Sequence, residues 1–224
     1  MHRPFAPLLA SLVAACAARP EAAPSGHAHA HGMGHHHRFD DPAHWATVFD
    51  APERDAWQRP DLVLERLRLA PDARVADLGA GTGYFSVRLA RAVPSGRVWA
   101  VDLEPTLLRY LRDRVAREGL GNVFPVLGTP SDPMLPEPVD LVLVVDTHHH
   151  IDHRPAYYRA LRASLRPGGR VAIVDFTLDA PEGPPRHLRL SPEQVDSELR
   201  EAGYARDGDA LQLPRQYVLV YRAE

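Results

Sequence analysis

Apolar side chains along this chain fall into two alternating patterns: short continuous runs, and longer stretches spaced at three and four residues. The runs predict strands buried on both faces, and the spaced stretches predict amphipathic helices. Strands are expected at 75–78, 97–101, 123–127, 141–145 and 171–176, with a late, antiparallel strand at 217–221. Helices are expected at 84–93, at 105–118 before Gly119 and Gly121, and at 155–165 before Pro167-Gly168-Gly169. Another starts at Ser191, whose N-cap hydroxyl is followed by Pro192 and Gln194, and runs to Ala202-Gly203. Upstream, Asp41-Pro42 opens a helical spacing of Trp45, Val48 and Phe49. A short turn is expected at 52–57, then a helix at 60–69 carrying Leu62, Val63, Leu67 and Leu69. Strands alternating with helices at these intervals predict an α/β fold with a doubly wound, mostly parallel sheet and helices on both faces.

Composition narrows this picture. The 224 residues are enough for one well-buried α/β domain with appendages. Charged residues make up 25% and the formal net charge is −3, which is no electrostatic footprint for nucleic acid. The single cysteine excludes an internal disulfide.

That cysteine gives the N-terminus a meaning of its own. Met1-His-Arg3 is a short basic start, and residues 5–15 are an apolar run of signal-peptide length ending Val13-Ala14-Ala15-Cys16. Small residues before a cysteine resemble the lipobox of bacterial lipoproteins. The resemblance implies a signal peptide at 1–15, lipid attachment at Cys16 and a place in the cell envelope. The rival is initiation at Met33, which gives a cytoplasmic protein. Residues 16–40 read as a disordered tether, with six of the chain's 13 histidines at His27, His29, His31, His35, His36 and His37. Imidazoles suit zinc, copper and nickel, so the tether is either an incidental His-rich linker or a weak metal binder.

The segment with the most chemistry is Asp77-Leu-Gly79-Ala-Gly81-Thr-Gly83-Tyr84, between the first strand and its helix. Its glycines permit a sharp turn and a close ligand approach. The helix start that follows favours a polar or anionic group. A dinucleotide fingerprint needs a glycine at position 84, where Tyr84 stands, and a P-loop needs Gly-Lys-Ser/Thr, which is absent.

The Asp-x-Gly-x-Gly-x-Gly pattern resembles the first motif of class I S-adenosylmethionine-dependent methyltransferases. Three later segments extend the resemblance in the family's order. Val98-Trp-Ala-Val-Asp102 looks like the second strand with its terminal acid. Val139 to Asp146, with Thr147-His148-His149-His150, looks like strand four and its loop. Arg166-Pro-Gly-Gly169 looks like the turn into strand five. The resemblance covers residues 60–224 and implies a seven-stranded Rossmann-like sheet with an antiparallel last pair. It makes 41–224 a methyltransferase domain, of the broad type that includes quinone-biosynthesis and small-molecule enzymes.

The same resemblance assigns S-adenosylmethionine as cofactor, bound by Asp77, Gly79, Gly81, Gly83, Asp102, Leu103, Asp132 and Asp146. Gly79 and Gly81 would pass under its amino-acid and ribose parts. Asp102 would accept from the ribose diol; it follows Gly79 by 23 residues, a separation that allows this. Asp132 would lie near the adenine and Asp146 near the methionine amine. His149 and His150 align with a His-His pair after strand four and are the candidate catalytic residues. An imidazole there either orients the loop or takes a proton from the acceptor. A metal on the triple is a third reading. The partner implied is a small-molecule acceptor that the residues do not identify. The competing functional class is a non-catalytic cofactor- or metal-binding envelope lipoprotein on the same fold.

Overall fold

The computed structural model describes residues 41–224; the expected signal peptide, Cys16 and the His-rich tether lie outside the described residues. In chain order the elements are α1 (Pro42–Phe49), α2 (Arg54–Gln58), α3 (Pro60–Leu67), β1 (Arg74–Leu78), α4 (Tyr84–Ala92), β2 (Arg97–Asp102), α5 (Pro105–Arg117), β3 (Val123–Leu127), β4 (Val139–Val145), α6 (Arg154–Leu161), β5 (Leu165–Phe176), α7 (Pro192–Glu201), β6 (Tyr204–Arg206), β7 (Leu211–Gln212) and β8 (Gln216–Ala223).

Local sequence explains most of these boundaries. The Asp41 carboxylate accepts from the amides of Ala43 and His44 and starts α1 just before Pro42. Ser191 and Gln194 form the reciprocal capping box of α7. The helix expected through Leu165 ends at Leu161 instead. One 3-10 turn (Arg162–Ser164) follows, because Leu165 is drawn into the sheet opposite Val139.

The sheet order is β3-β2-β1-β4-β5-β8-β6, with β7 also paired to β8. β1 to β5 run parallel, and β8 runs antiparallel to β5, β6 and β7. The sheet therefore has eight strands where seven were expected. β6 and β7 are three and two residues long, too short to show a period of two in sequence.

Alternation along the strands sorts the core into two layers. Val75, Val98, Ala100, Leu141 and Leu143 pack with Val63, Phe85, Leu89 and Leu111 of α3, α4 and α5. Ala76, Leu78, Val142, Val144 and Ile173 pack with Tyr158, Leu161, Val195 and Leu199 of α6 and α7. The order reverses at β1, which has β2 on one side and β4 on the other. The crevice at the carboxyl ends of β1 and β4 is thus the topological switch point, where open α/β sheets bind ligands.

Candidate functional site

The loop that leaves β1 is pinned to β2. The Gly79 and Ala80 amides both donate to the Val101 carbonyl at 2.9 Å. Gly79, Gly81 and Gly83 have φ of +77°, +57° and +93°, backbone that a side chain strains. A Cβ on Gly79 would also strike the Thr147 side chain at the end of β4, so the two loops touch at this glycine. Above Gly81 a Cβ would meet only the Phe49 ring, at 3.5 Å.

Asp102 ends β2 and braces this loop. Its carboxylate accepts from the Gly81 amide at 2.8 Å and from the Glu104 amide at 2.9 Å. Burial raises its pKa, while those amides oppose the rise. Leu103 beside it is 41% exposed, an apolar surface at the rim of the crevice. Asp132 lies beyond β3 and is exposed. Its carboxylate accepts from the Met134 amide at 2.7 Å, so it shapes a turn on the rim. Asp77 faces the α4 layer, 2% exposed, and accepts from the Ser86 hydroxyl at 2.6 Å. Burial pushes its carboxyl up to about 6.

The ends of β4 and β5 carry a second set of groups. Asp146 has φ of +52° and takes hydrogen bonds from Gln216, from Gln58 at 3.3 Å and from Arg54 at 3.3 Å. Burial pushes its carboxyl up to about 6, with the Arg54 charge opposing.

The three histidines form a single 3-10 turn and separate sharply in role. His148 points into the α6 and α7 layer, fully buried, with Nδ1 2.8 Å from the Tyr158 hydroxyl and Nε2 3.3 Å from Glu198. His149 turns toward the strand ends, with Nδ1 3.0 Å from both carboxylate oxygens of Asp175 at the end of β5. That pair is nearly closed to solvent, at 4% and 1% side-chain exposure. An ionised Asp175 can only accept, so Nδ1 carries the proton and Nε2 is left as the basic atom. Burial works against charge on His149, but the Asp175 hydrogen bond and charge prevail and its pKa is raised. His150 is half-buried, its ring 4.2 Å from that of His149. Among the described residues no group of three or more His, Cys, Asp or Glu could hold a metal ion, so the three-histidine metal reading finds no support there.

The segment before the sheet folds over the glycine loop. Trp45 stacks on Phe49 at 5.2 Å, and Phe49 lies over Gly81. Asp50 pairs with Arg114 at 2.7 Å, and Arg114 also donates to the Thr82 carbonyl. Asp55 takes hydrogen bonds from the Tyr84 hydroxyl and from Arg88. Arg54 stacks on the Tyr84 ring at 4.1 Å and reaches Asp146. Phe49 therefore covers the glycine loop. Trp57 instead packs on Phe176, 5.7 Å away, beside Asp175.

The structure thus gathers Asp77, the three glycines, Asp102, Asp146 and His149 around the switch point, with Leu103 and Asp132 on its rim. Sequence reasoning places Asp175 at the carboxyl end of an apolar strand, as it does Asp102 and Asp146, but not its pairing with His149. Arg54 it missed, because nothing local to a five-residue helix marks its partner 92 positions away.

Residues 75–169 match the family model described as a methyltransferase domain. A ubiquinone/menaquinone biosynthesis C-methyltransferase of Burkholderia cenocepacia is 28% identical over 123 residues, covering 54% of this chain and 50% of that protein. The Burkholderia mallei protein of the same name is 31% identical over 126 residues, with the same shares. The chain spans about half the length of the curated relatives it matches. Among solved structures, a SAM-dependent methyltransferase from Aquifex aeolicus superposes with a TM-score of 0.74 at 24% identity, over 82% of this chain and 99% of that one. An O-methyltransferase from neocarzinostatin biosynthesis, solved with S-adenosyl-L-homocysteine and 1,4-dihydroxy-2-naphthoic acid, superposes with a TM-score of 0.68 at 19% identity, over 82% of this chain and 59% of that one.

Proposed function

From the premise that residues 75–169 match a methyltransferase domain and lie in a class I S-adenosylmethionine-dependent fold, we propose that this chain methylates an ionisable O–H of a small-molecule acceptor. The observation that carries the reading is the left-handed glycine loop, fixed to Asp102 through the Gly81 amide at the switch point.

The residues present fit the cofactor. The backbone at Gly81 is open to anything that displaces one phenyl ring. In the same loop the Thr82 hydroxyl is buried with no hydrogen-bond partner among the described residues. Asp102 is already oriented by two amides and keeps lone pairs for the ribose hydroxyls. Leu103 offers apolar surface to the adenine, with Asp132 on the rim, and Asp146 faces the amine. When bound, S-adenosylmethionine supplies a methyl group already activated by its sulfonium. The protein then has to position the acceptor and manage one proton.

His149 accepts that proton at Nε2. Asp175 holds Nδ1–H and stabilises the imidazolium that forms. This dyad supports an O–H acceptor over one that needs no base. The C-methyltransferase and O-methyltransferase relatives support a small molecule, and the Trp57–Phe176 ring pair beside Asp175 supports one with a flat apolar face. The intact loop and acids favour this reading over a non-catalytic binding module. Screening metabolite fractions for methyl transfer from labelled S-adenosylmethionine, with the purified full chain, tests it. No cofactor binding by calorimetry sinks it.

We also propose an envelope location through a lipid on Cys16, supported by the apolar run and Val13-Ala14-Ala15 before it. Mass spectrometry of the native protein decides: a lipid-modified peptide starting at Cys16 supports it, and a soluble product starting at Met33 or Gly34 overturns it.

A further inference from the structure

Of the three histidines after β4, the proposed chemistry uses His149 and leaves the most deeply buried, His148, without a role. The 3-10 turn that carries them cannot hold its own direction. It is closed by the His150 amide donating to the Thr147 carbonyl at 2.9 Å and the Ile151 amide to the His148 carbonyl at 3.2 Å. Such hydrogen bonds have poorer geometry than those of an α-helix. The chain enters the turn through Asp146 at φ of +52°, backbone that non-glycine residues rarely adopt. Contacts from outside the turn therefore have to fix where His149 points.

Those contacts come from α6 and α7. His148 Nδ1 lies 2.8 Å from the Tyr158 hydroxyl of α6. Its Nε2 lies 3.3 Å from Glu198 of α7, in charge contact but without an aligned hydrogen bond. Arg154 of α6 holds Glu198 in a bidentate fork, Nε to Oε2 at 2.7 Å and Nη2 to Oε1 at 2.8 Å. Arg154 Nη1 also donates to the Ile151 carbonyl at 3.3 Å, just past the turn. One ion pair thus grips the turn at both ends.

The same contacts fix a tautomer. Burial acts to raise the Glu198 carboxyl, but His148 and Arg154 prevail and hold it down to about 2. Glu198 is therefore ionised and only accepts. Burial keeps the Tyr158 hydroxyl protonated, so it donates to Nδ1. His148 then carries its proton at Nε2, facing the carboxylate. His149 is the reverse, with its proton at Nδ1 facing Asp175. Two adjacent imidazoles are held in opposite tautomers, one by a carboxylate of α7 and the other by a carboxylate of β5.

We propose that His148 is a positioning residue for His149: locked as its Nε2–H tautomer by Glu198 and Arg154, it fixes the turn so that His149 presents Nδ1–H to Asp175 and Nε2 to the acceptor. This rests on the reading of His149 as the base and extends it to side chains of α6 and α7. Glu198→Gln probes it at constant volume. One carboxylate oxygen becomes an NH2 that faces a donor of Arg154 or His148, whichever way the amide turns, so the grip fails at one end.

The readout is the imidazole nitrogen NMR spectrum of the isotope-labelled full chain, taken above the titration of His149. His148 and His149 are assigned by the signals lost in H148Q and H149Q. The wild type is expected to show His148 protonated at Nε2 and His149 at Nδ1. In E198Q both should become mixtures of tautomers, while S-adenosylhomocysteine still binds as in the wild type. Turnover on the identified acceptor should fall by about tenfold or more, since misplacing a reacting group by about 1 Å can cost about 100-fold. A wild-type His148 that is protonated at Nδ1, doubly protonated or mixed overturns the proposal. So does a folded E198Q in which His149 keeps its single tautomer and full turnover. If circular dichroism shows E198Q unfolded, H148Q is read on His149 alone: a mixed tautomer supports the proposal and a single one overturns it. A wild-type His149 protonated at Nε2 refutes the base assignment and, with it, the role given to His148; that outcome is told apart by His148 keeping its Nε2–H form.

Discussion

Changing Asp175 to Asn tests the proton-transfer assignment at its most sensitive point. The Asp175 Oδ1 atom accepts from the Phe176 amide at 2.8 Å. In the variant that amide still demands an oxygen, so the new NH2 must occupy the Oδ2 position, facing His149 Nδ1. There it donates, which forces Nδ1 to accept and moves the ring proton to Nε2. The basic atom is thereby blocked, with almost no change of shape. Losing the charge also removes a charge-assisted hydrogen bond to the imidazolium, worth about 1.5–3 kcal/mol, or roughly 10- to 150-fold. General-base assistance as a whole is worth about 10²–10⁴-fold, so turnover should fall by about 100-fold or more. The pH profile supplies a second reading. A base must be neutral to act, so wild-type turnover rises with pH through the elevated His149 pKa. In D175N the carboxylate that elevates it is gone, and the inflection moves to lower pH. Turnover is followed by labelled methyl transfer to the identified acceptor, with S-adenosylhomocysteine affinity as the control for an intact site. Full turnover with an unshifted profile, in a variant that binds the cofactor normally, would refute the dyad.

Asp102→Ala leaves the Gly81 and Glu104 amides without their acceptor and the ribose diol without its own, so S-adenosylhomocysteine affinity should drop about tenfold or more in calorimetry. Asp77 has a folded pKa near 6, above the ordinary carboxylate value, so its contribution to stability is greatest at low pH and is lost as pH rises through 6. Asp77→Asn keeps an acceptor for Ser86 and removes that loss. Urea midpoints of variant and wild type should diverge from pH 4 to pH 7 by on the order of 2–3 kcal/mol in favour of the variant, and a pH-independent difference contradicts the burial argument. Gly79→Ala meets the Thr147 side chain at a left-handed φ and should lower stability by about 1–3 kcal/mol in thermal melts. Gly81→Val meets only the Phe49 ring, so a folded variant that has lost cofactor binding is expected, and unchanged affinity would show that the loop is not the site.

The parallel strands and the glycine loop were legible because their signals are local. Val75, Ala76 and Leu78 are apolar because both faces of β1 are covered, and Gly79, Gly81 and Gly83 are glycines because each φ is positive. Asp102 was legible because a β-α-β unit places the end of its second strand at a nearly constant distance along the chain from the loop after its first. The short strands β6 and β7 were not, since pairing with β8 defines them and no period of their own does.

What the sequence by itself determined was the layering, the switch point and the acids that end the strands, because strand and turn chemistry depend on residues within a few positions of one another. What only the tertiary structure decided was which way each of three identical neighbours points. A 3-10 turn rotates successive side chains by about 120°. His148 is thereby sent beneath the sheet to Tyr158 and Glu198, and His149 toward the strand ends and Asp175, 26 positions along the chain. Arg54 meets Asp146 by the same kind of accident of chain path, across 92 positions. No spacing rule reaches that far, because such distances are set by how helices and sheet pack.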